Sequence, residues 1–438
     1  MARVYLVAGL GFGDEGKGTI VDFLTRSTGA HLVVRYNGGA QAAHNVVLPD
    51  GTSHCFSQFG SGSFVPRVQT HLSRHMLVNP LTMNHEGSHL LSLGVRDIWD
   101  RVTVDRQALI TNPFQRAANR LREHARGDAR HGSCGMGVGE TMSDALADPE
   151  SALRVGDLED RALTVRKLRQ SQERKAEEFR DHLRLSDVGD EDGLDGCRDV
   201  LRDTTWPEDI AESFQDWTSR VTLVNEDWLT GQVNGEGVVI FEGAQGVLLD
   251  ETYGFQPYTT WTSCTWKNAM DLLKDHQDAN VKVGVLRTYM TRHGRGPFVT
   301  EDTGWVPSEK HNRRGDWQEG FRRGYFDIPA VHYAIDMLYD SARDGLDMFA
   351  MTHMDVIPPK FCTKYDNFDL QYLSVANSPV GRQEKVTEIL LQPDVRPVYQ
   401  KIDLMPDFLA YIEAEFGTDI GIFSYGPTHE DKSLHARY

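Results

Sequence analysis

Apolar positions along this chain fall into short runs closed by glycine, with helical repeats between them. Arg3–Gly9 (RVYLVAG) is apolar and partly β-branched, the pattern of a buried strand. Beyond a glycine-rich turn, Ile20, Phe23 and Leu24 share one helical face. Ala30–Arg35 predicts a second strand, and His44 then falls on a loop near its end. His54–Phe64 reads as a strand and a Gly/Ser turn. Met76–Pro80 opens a short strand-to-helix segment that stops near Gly94. One or two short strands are expected over 101–109, and charged helices over 117–129 and 163–185. The acidic, Gly-rich stretch 186–198 reads as a surface loop, and 209–221 as another helix. Val238–Ile240, Val281–Leu286, Met348–Met351 and Asp419–Phe423 are further apolar strands. Ile328, Val331, Ile335, Leu338 and Ala342 keep helical spacing behind Pro329, as do Phe408, Ile412 and Phe416 before Gly417. No linker or internal repeat divides the chain, so the segment around 160–230 reads as a helical excursion from one sheet.

Composition narrows the class. At 438 residues, 39% hydrophobic and 25% charged, the chain can bury a large core as a soluble globular protein. The net charge of −18 argues against a general nucleic-acid or anionic-membrane binder, so an anionic substrate needs a local basic pocket. Five widely spaced cysteines without a CxxC suggest neither a zinc site nor a disulfide framework. A strand begins within three residues of the start, and no apolar run reaches membrane-spanning length. The expectation is a cytoplasmic protein with reduced thiols.

The chemistry concentrates first at Gly11-x4-Gly16-Lys17-Gly18, between a strand and a helix. Backbone N–H groups in such a turn cradle phosphate oxygens, and the helix dipole favours their charge. The spacing is that of a P-loop, but Gly18 stands where Ser or Thr would hold Mg²⁺. Asp14 lies inside the loop, and a carboxylate among phosphates is tolerable only if it holds a metal or takes a proton. Asn37-Gly-Gly39 lets backbone approach a ligand closely before His44. Glu242 and Gln245 end a strand in a Gly-rich turn suited to ligand contact. Arg313, Arg314, Arg322 and Arg323 reverse the local sign of an acidic chain, which suits carboxylates or phosphates.

Gly13-Asp-Glu-Gly-Lys-Gly18 resembles the nucleotide loop of adenylosuccinate synthetases, which join aspartate to IMP using GTP; Phe12 stands for that family's Trp. The resemblance continues in order from Gly9 to Pro427. It runs through Arg35–Asn45, Gly132–Gly139, Leu153–Leu158, Phe241–Asp250, Pro257–Thr260, Tyr289–Phe298, Thr352–Asp355 and Ser424–Pro427. It implies one α/β domain over 1–438 around a mostly parallel sheet, and a homodimer. Asp14, Lys17 and His44 would be catalytic: Asp14 as the base at purine N1, Lys17 on the phosphates, His44 assisting GDP departure. Gly13, Asp14, Glu15, Gly16, Lys17, Gly18 and Thr19, with Ala43, His44 and Asn45, would hold the GTP phosphates. Asp14 and the Ala43 carbonyl would hold Mg²⁺.

At the far end of GTP, His353, Met354, Asp355, Ser424, Tyr425 and Gly426 would form the guanine site, with Asp355 reading guanine N1–H and N2–H₂. Gln41, Ser133, Cys134, Gln245, Thr260, Arg322 and Arg323 would bind the purine nucleotide and the carboxylates of the amine. The departures cluster on that second group. Gln41 stands for Asn, Cys134 for Thr, Trp261–Cys264 for Ser-Ser-Asn-Thr, and no arginine lies in Asp148–Ala152, where the family sends one across its dimer. Elsewhere Ala43 stands for Gly, Asn45 for Thr and His353 for Lys. The leading expectation is therefore a GTP-dependent C–N ligase making adenylosuccinate. A paralogue acting on another purine, such as dGMP, or on another amine stands behind it. From another class, a GTP-binding regulatory protein without turnover remains as an alternative.

Overall fold

In the computed structural model, the described residues are 1–184, 193–274, 280–305, 317, 320–342, 345–368 and 382–435. Arg313, Arg314, Gln318 and Glu319 lie outside them. A ten-stranded sheet runs through the molecule. In spatial order its strands are Lys432–Leu434, Ile420–Ser424, Met348–Thr352, Asn280–Arg287, Arg3–Gly9, Val238–Gly246, Leu32–Arg35, Gln69–Leu72, Val102–Asp105 and Thr222–Val224. Every pair is parallel except Ile420–Ser424 with Lys432–Leu434.

Arg3–Gly9 sits centrally, with Val238–Gly246 on one side and Asn280–Arg287 on the other. Its side chains alternate between two cores. Val4, Leu6 and Ala8 pack with Leu32, Val34, Phe241 and Phe349, while Tyr5 and Val7 pack with Ile20, Leu24, Val33 and Val283. Burial on both faces explains why these strands read as continuous apolar runs. The carboxyl ends of the three middle strands bring Gly9, Glu242 and Arg287 to one edge, where ligands bind in open α/β sheets.

Helices Arg161–Glu178, Arg180–Arg184, Asp195–Arg202 and Trp206–Thr218 pack a third core around Leu168, Leu201, Phe214 and Trp217. Two expectations change. Residues 195–198 are helical, because Leu194 and Leu201 bury one face of Asp195–Arg202. The helix expected from 117 begins at Pro113, a turn earlier, capped by Asn112 with Gln115 reaching back. Among the described residues no helix is long and apolar enough to cross a membrane.

Candidate functional site

The loop after Arg3–Gly9 is held in left-handed backbone at Gly13 (φ 89°), Asp14 (φ 63°) and Gly16 (φ 96°). This conformation turns the Glu15 side chain inward. Its Oε1 accepts from the amides of Gly11 (3.0 Å) and Gly13 (2.8 Å), and its Oε2 meets Lys17 Nζ at 2.6 Å. Two loop amides and the lysine expected at phosphate therefore engage the chain's own carboxylate. Gly9 leaves room for this pair, since a Cβ there would press on the Glu15 carboxylate and the Lys17 ammonium. From outside, Arg287 Nε donates to the Asp14 carbonyl and Thr352 Oγ1 to the Glu15 carbonyl, both at 2.6 Å. The helix Lys17–Thr28 has no side-chain cap at Gly16. Its first N–H groups thus present an open, electropositive end suited to an anion.

His44 does not lie on a loop. It opens the strand His44–Val47, paired antiparallel with Ser53–Phe56, where it stands opposite Phe56. Its side chain packs on the phosphate loop: a Cβ at Gly18 would fall 2.7 Å from His44 Cβ. His44 thus fills the space a Ser or Thr at 18 would need, which explains the glycine. His44 Nδ1 meets Glu242 Oε1 at 2.5 Å, and Glu242 also accepts from Ser61 N (2.9 Å) and Ser61 Oγ. Burial would raise the Glu242 carboxyl, but the Arg35 guanidinium and then His44 and Ser61 overcome it and hold it at about 2. Burial lowers the His44 pKa, against the pull of Glu242. The pair is thus an ionised carboxylate orienting a neutral imidazole through Nδ1, with Nε2 left as the other ring nitrogen.

Asp14 keeps its carboxylate partly exposed, with His293 Nε2 at 3.4 Å from Oδ2. Ala43 is exposed beside His44. A carboxylate and a backbone carbonyl are hard oxygen donors that suit Mg²⁺ when phosphate oxygens complete the shell. Among the described residues no group of three or more His, Cys, Asp or Glu side chains is placed to hold a metal by itself.

The two segments expected at guanine come together. Met354 N donates to Ser424 O at 3.0 Å, and Thr288 Oγ1 to His353 O at 3.0 Å, with His353 in left-handed backbone (φ 56°). Thr19 Oγ1 donates to Pro427 O at 2.9 Å, tying this loop to the phosphate helix. Lys432 Nζ donates to the carbonyls of Gly426 (3.1 Å) and Thr428 (2.6 Å). Burial, then Arg287 and Lys432, pushes the His353 pKa well down, so its ring is neutral. Asp355 and Tyr425 are exposed at the rim.

The residues expected around the second nucleotide are differently arranged. Ser133 Oγ is turned into helix Pro113–Ala125, where Asn119 Nδ2 donates to it at 2.9 Å. Glu123 accepts from the amides of Gly132 (3.0 Å) and Ser133 (3.3 Å), so the glycine run is pinned and not a free linker. Trp317 lies against Gly135 and Trp261 against Gly139. Gln245 Oε1 accepts from Thr262 (3.5 Å) and from the Cys264 thiol (3.6 Å), and Thr260 N donates to Leu249 O at 2.8 Å. Gln41 keeps both amide atoms buried without a partner. Arg322 is spent within its own hairpin: it donates to Gly294 O (3.1 Å) and Gly296 O (2.9 Å) and pairs with Glu301 at 2.6 Å. Arg323 lies over Phe321, its Nε buried without a partner. Cys134 is half-buried, and burial raises its thiol pKa.

Sequence reasoning missed several residues. Arg116 and Arg120 sit one helical turn apart below the glycine run, with Arg120 donating to Gly135 O at 3.2 Å and stacked over Trp317. Neither has a carboxylate within 4.0 Å among the described residues, and their i,i+4 spacing was the available signal. Ser61 had none, since only the fold brings it to Glu242. His293 was visible as the unspecified position inside Thr-Arg-x-Gly.

Comparison with known proteins places this geometry. A sequence profile described as adenylosuccinate synthetase matches residues 6–433. The adenylosuccinate synthetase of Salinibacter ruber is 29% identical, over 97% of this chain and 96% of that protein. The Proteus mirabilis enzyme of the same name is 31% identical over 82% of this chain and 78% of its own length. Among solved structures, the fully ligated adenylosuccinate synthetase of Plasmodium falciparum superposes with a TM-score of 0.70 at 20% identity, covering 99% of this chain and 100% of that one. A cyanophage S-2L succinoaminodeoxyadenylate synthetase, bound to dGMP and dATP, gives 0.60 at 17% identity, covering 99% and 95%. At those identities the structures speak for the fold. Together with the profile and the curated relatives, they show that the chain belongs to the adenylosuccinate synthetase family of GTP-dependent ligases.

Proposed function

We propose that this protein condenses IMP with aspartate at the expense of GTP, giving adenylosuccinate, GDP and phosphate. The observation that carries the reading is the neutral His44, packed on the phosphate loop and oriented by an ionised Glu242. Asp14 takes the N1 proton, which makes O6 of the 6-oxopurine nucleophilic. O6 attacks the γ-phosphorus of GTP and the bond to the β–γ bridging oxygen breaks; His44, neutral at rest with a lone pair at Nε2, takes a proton there from solvent and, as an imidazolium balanced by Glu242, donates it to the GDP that leaves. The aspartate amine then attacks C6, and phosphate departs with the former O6. Asp14 and the Ala43 carbonyl would hold Mg²⁺, which would neutralise developing phosphate charge. The open helix end at Lys17–Thr19 receives phosphate. Lys17 reaches it only by exchanging Glu15 Oε2 for a phosphate oxygen. Guanine lies between His353–Asp355 and Ser424–Gly426, with Asp355 accepting from N1–H and N2–H₂. The protein acts in the cytoplasm as a homodimer.

A second reading keeps the activation step and changes the amine. Its support is Arg322, whose guanidinium is engaged by Gly294, Gly296 and Glu301 and so offers little to a carboxylate. The deciding experiment is phosphate release from GTP and Mg²⁺, offering IMP, GMP and dGMP in turn, first with aspartate and then with other amines, with product masses. A succinyl adduct of IMP supports the first reading. Release that needs another amine supports the second, and no release with any pair sinks both.

A further inference from the structure

His293 is the histidine within ion-pair distance of the proposed base. It closes the strand Tyr289–His293, opposite Phe321 on the partner strand Phe321–Tyr325, and its ring lies 4.9 Å from Phe321. Its Nε2 stands 3.4 Å from Asp14 Oδ2, both side chains about one-fifth exposed (20% and 22%). Its Nδ1 is buried without a partner. These facts assign the proton. A carboxylate oxygen facing a ring nitrogen favours N–H at that nitrogen. A buried nitrogen without a partner is also less costly as a lone pair than as an unsatisfied N–H. His293 therefore presents Nε2–H toward Asp14. The backbone beneath Asp14 is fixed by Arg287, so the pair is built into the loop and the hairpin.

The position beside Asp14 has a chemical meaning once Asp14 is read as the N1 base, and the role of His293 rests on that reading. N1 of a 6-oxopurine has two ring neighbours, C6 and C2. The C6 oxygen must face the incoming phosphoryl group, on the side of the helix end and His44. His293 belongs to the hairpin whose turn, at Gly294, approaches Gly132 of the glycine run, and not to the helix end or the His44 strand. A polar group touching Asp14 from that hairpin stands at C2. We infer that His293 is a specificity-determining residue that holds an N–H donor at the C2 edge of the purine and so selects a 6-oxopurine lacking a 2-amino group. Hypoxanthine puts a C–H there and leaves Nε2–H to Asp14. Guanine puts an N–H₂ there, a donor facing a donor.

The test compares IMP with GMP, which differ only at C2, binding to the full-length protein by calorimetry without GTP, so it reads affinity whether or not turnover occurs. The wild type is expected to bind IMP at least about tenfold tighter than GMP, the scale of one unmatched polar contact. His293→Ala should shrink that ratio to within about threefold, and His293→Gln, which keeps an N–H donor, should restore most of it. Thermal melting and GTP affinity of both variants check that the fold survives. Equal or tighter binding of GMP by the wild type overturns the assignment, as does an unchanged ratio in His293→Ala. Failure of the Asp14 reading shows separately, as turnover retained by Asp14→Ala.

Discussion

The two walls of this site are built on different physical terms. On the activation wall, buried charges each have a buried partner: Glu15 pairs with Lys17, and the Glu242 carboxylate holds the neutral His44 ring, all four side chains less than one-tenth exposed. On the substrate wall, the polar groups are half-buried and bound mostly to backbone or to a neighbouring helix: Ser133 to Asn119, Arg322 to two glycine carbonyls, Arg120 to Gly135. A buried ion pair tolerates little change, because removing one partner leaves the other uncompensated. A tethered side chain at a half-exposed surface is exchanged at small cost. The departures from the family pattern lie mostly on the second wall, which is where this physics permits them.

The largest expected effect is at the centre of the first wall. Asp14→Ala should lower turnover by about 10³-fold, the mid-range for a positioned general base, with GTP affinity changed by less than about tenfold. Steady-state kinetics beside direct GTP binding read both, and retained turnover would remove Asp14 as the base. Next is Glu242→Gln, which keeps shape and deletes charge. Arg35 is fully buried, with Nε and Nη2 already without hydrogen-bond partners, so losing the carboxylate charge should destabilise the fold by about 3 kcal/mol. Turnover should fall about 10²-fold as His44 loses its orienting charge. Denaturant unfolding with kinetics separates the two losses. A variant as stable as wild type would mean that Arg35 is balanced elsewhere.

Acid should weaken the fold through its buried imidazoles, at the site and away from it. His44 and His353 have lowered pKa values, as does His71, which burial pushes down to about 3. Below the usual histidine range the unfolded chain takes up protons that these rings refuse, so stability falls as pH drops. His71 alone predicts a loss of about 1.4 kcal/mol between roughly pH 7.5 and pH 5.5. His44 and His353 add in the same direction. Glu242, held at about 2, acts likewise at lower pH, once unfolded glutamates begin to protonate near 4.5. Unfolding midpoints across this range check the sign; stability unchanged at pH 5.5 would mean that these rings are charged when folded.

Much of the first wall was legible because its chemistry is local in sequence. Gly13 to Thr19 carries turn and helix end within one stretch, and the apolar runs of the middle strands follow from burial on both faces. What pairs with what was not legible. Glu15 reads as a loop residue, yet the left-handed backbone at Gly13, Asp14 and Gly16 turns it inward onto Lys17. His44 meets Glu242 across 198 positions of sequence, and Ser61 joins them only through the fold. The second wall was harder, because Gly132–Gly139 has the composition of a linker. Its order comes from Asn119, Glu123 and Arg120 on a helix whose pattern shows only charge.

At the guanine end the expected effect is moderate. Asp355 is exposed, so its contact with a base is made in partial solvent. Asp355→Asn should weaken GTP relative to ITP by about tenfold, or about 1.4 kcal/mol, since ITP lacks the 2-amino donor. Competition binding of the two nucleotides measures this, and an unchanged preference would place guanine reading on other groups.

The smallest expected effect most sharpens the contrast between the walls. Ser133 is expected from the family pattern to line the nucleotide pocket, but its hydroxyl is used inside the protein. It exchanges hydrogen bonds with Asn119 (2.9 and 3.2 Å) and accepts from Gly135 N at 3.3 Å. That is a strut for the glycine run. Ser133→Ala should therefore cost about 1 kcal/mol of stability, the ordinary value of a part-buried hydrogen bond, and leave the KM for the purine nucleotide within about twofold. Asn119→Ala should reproduce the stability loss, and the double variant should lose less than the sum, because the two share one contact. A KM raised tenfold in Ser133→Ala at unchanged stability would reverse the assignment. It would mean that the hydroxyl swings from Asn119 to the ligand, and that the second wall, like the Glu15–Lys17 pair on the first, rests closed on itself until substrate arrives.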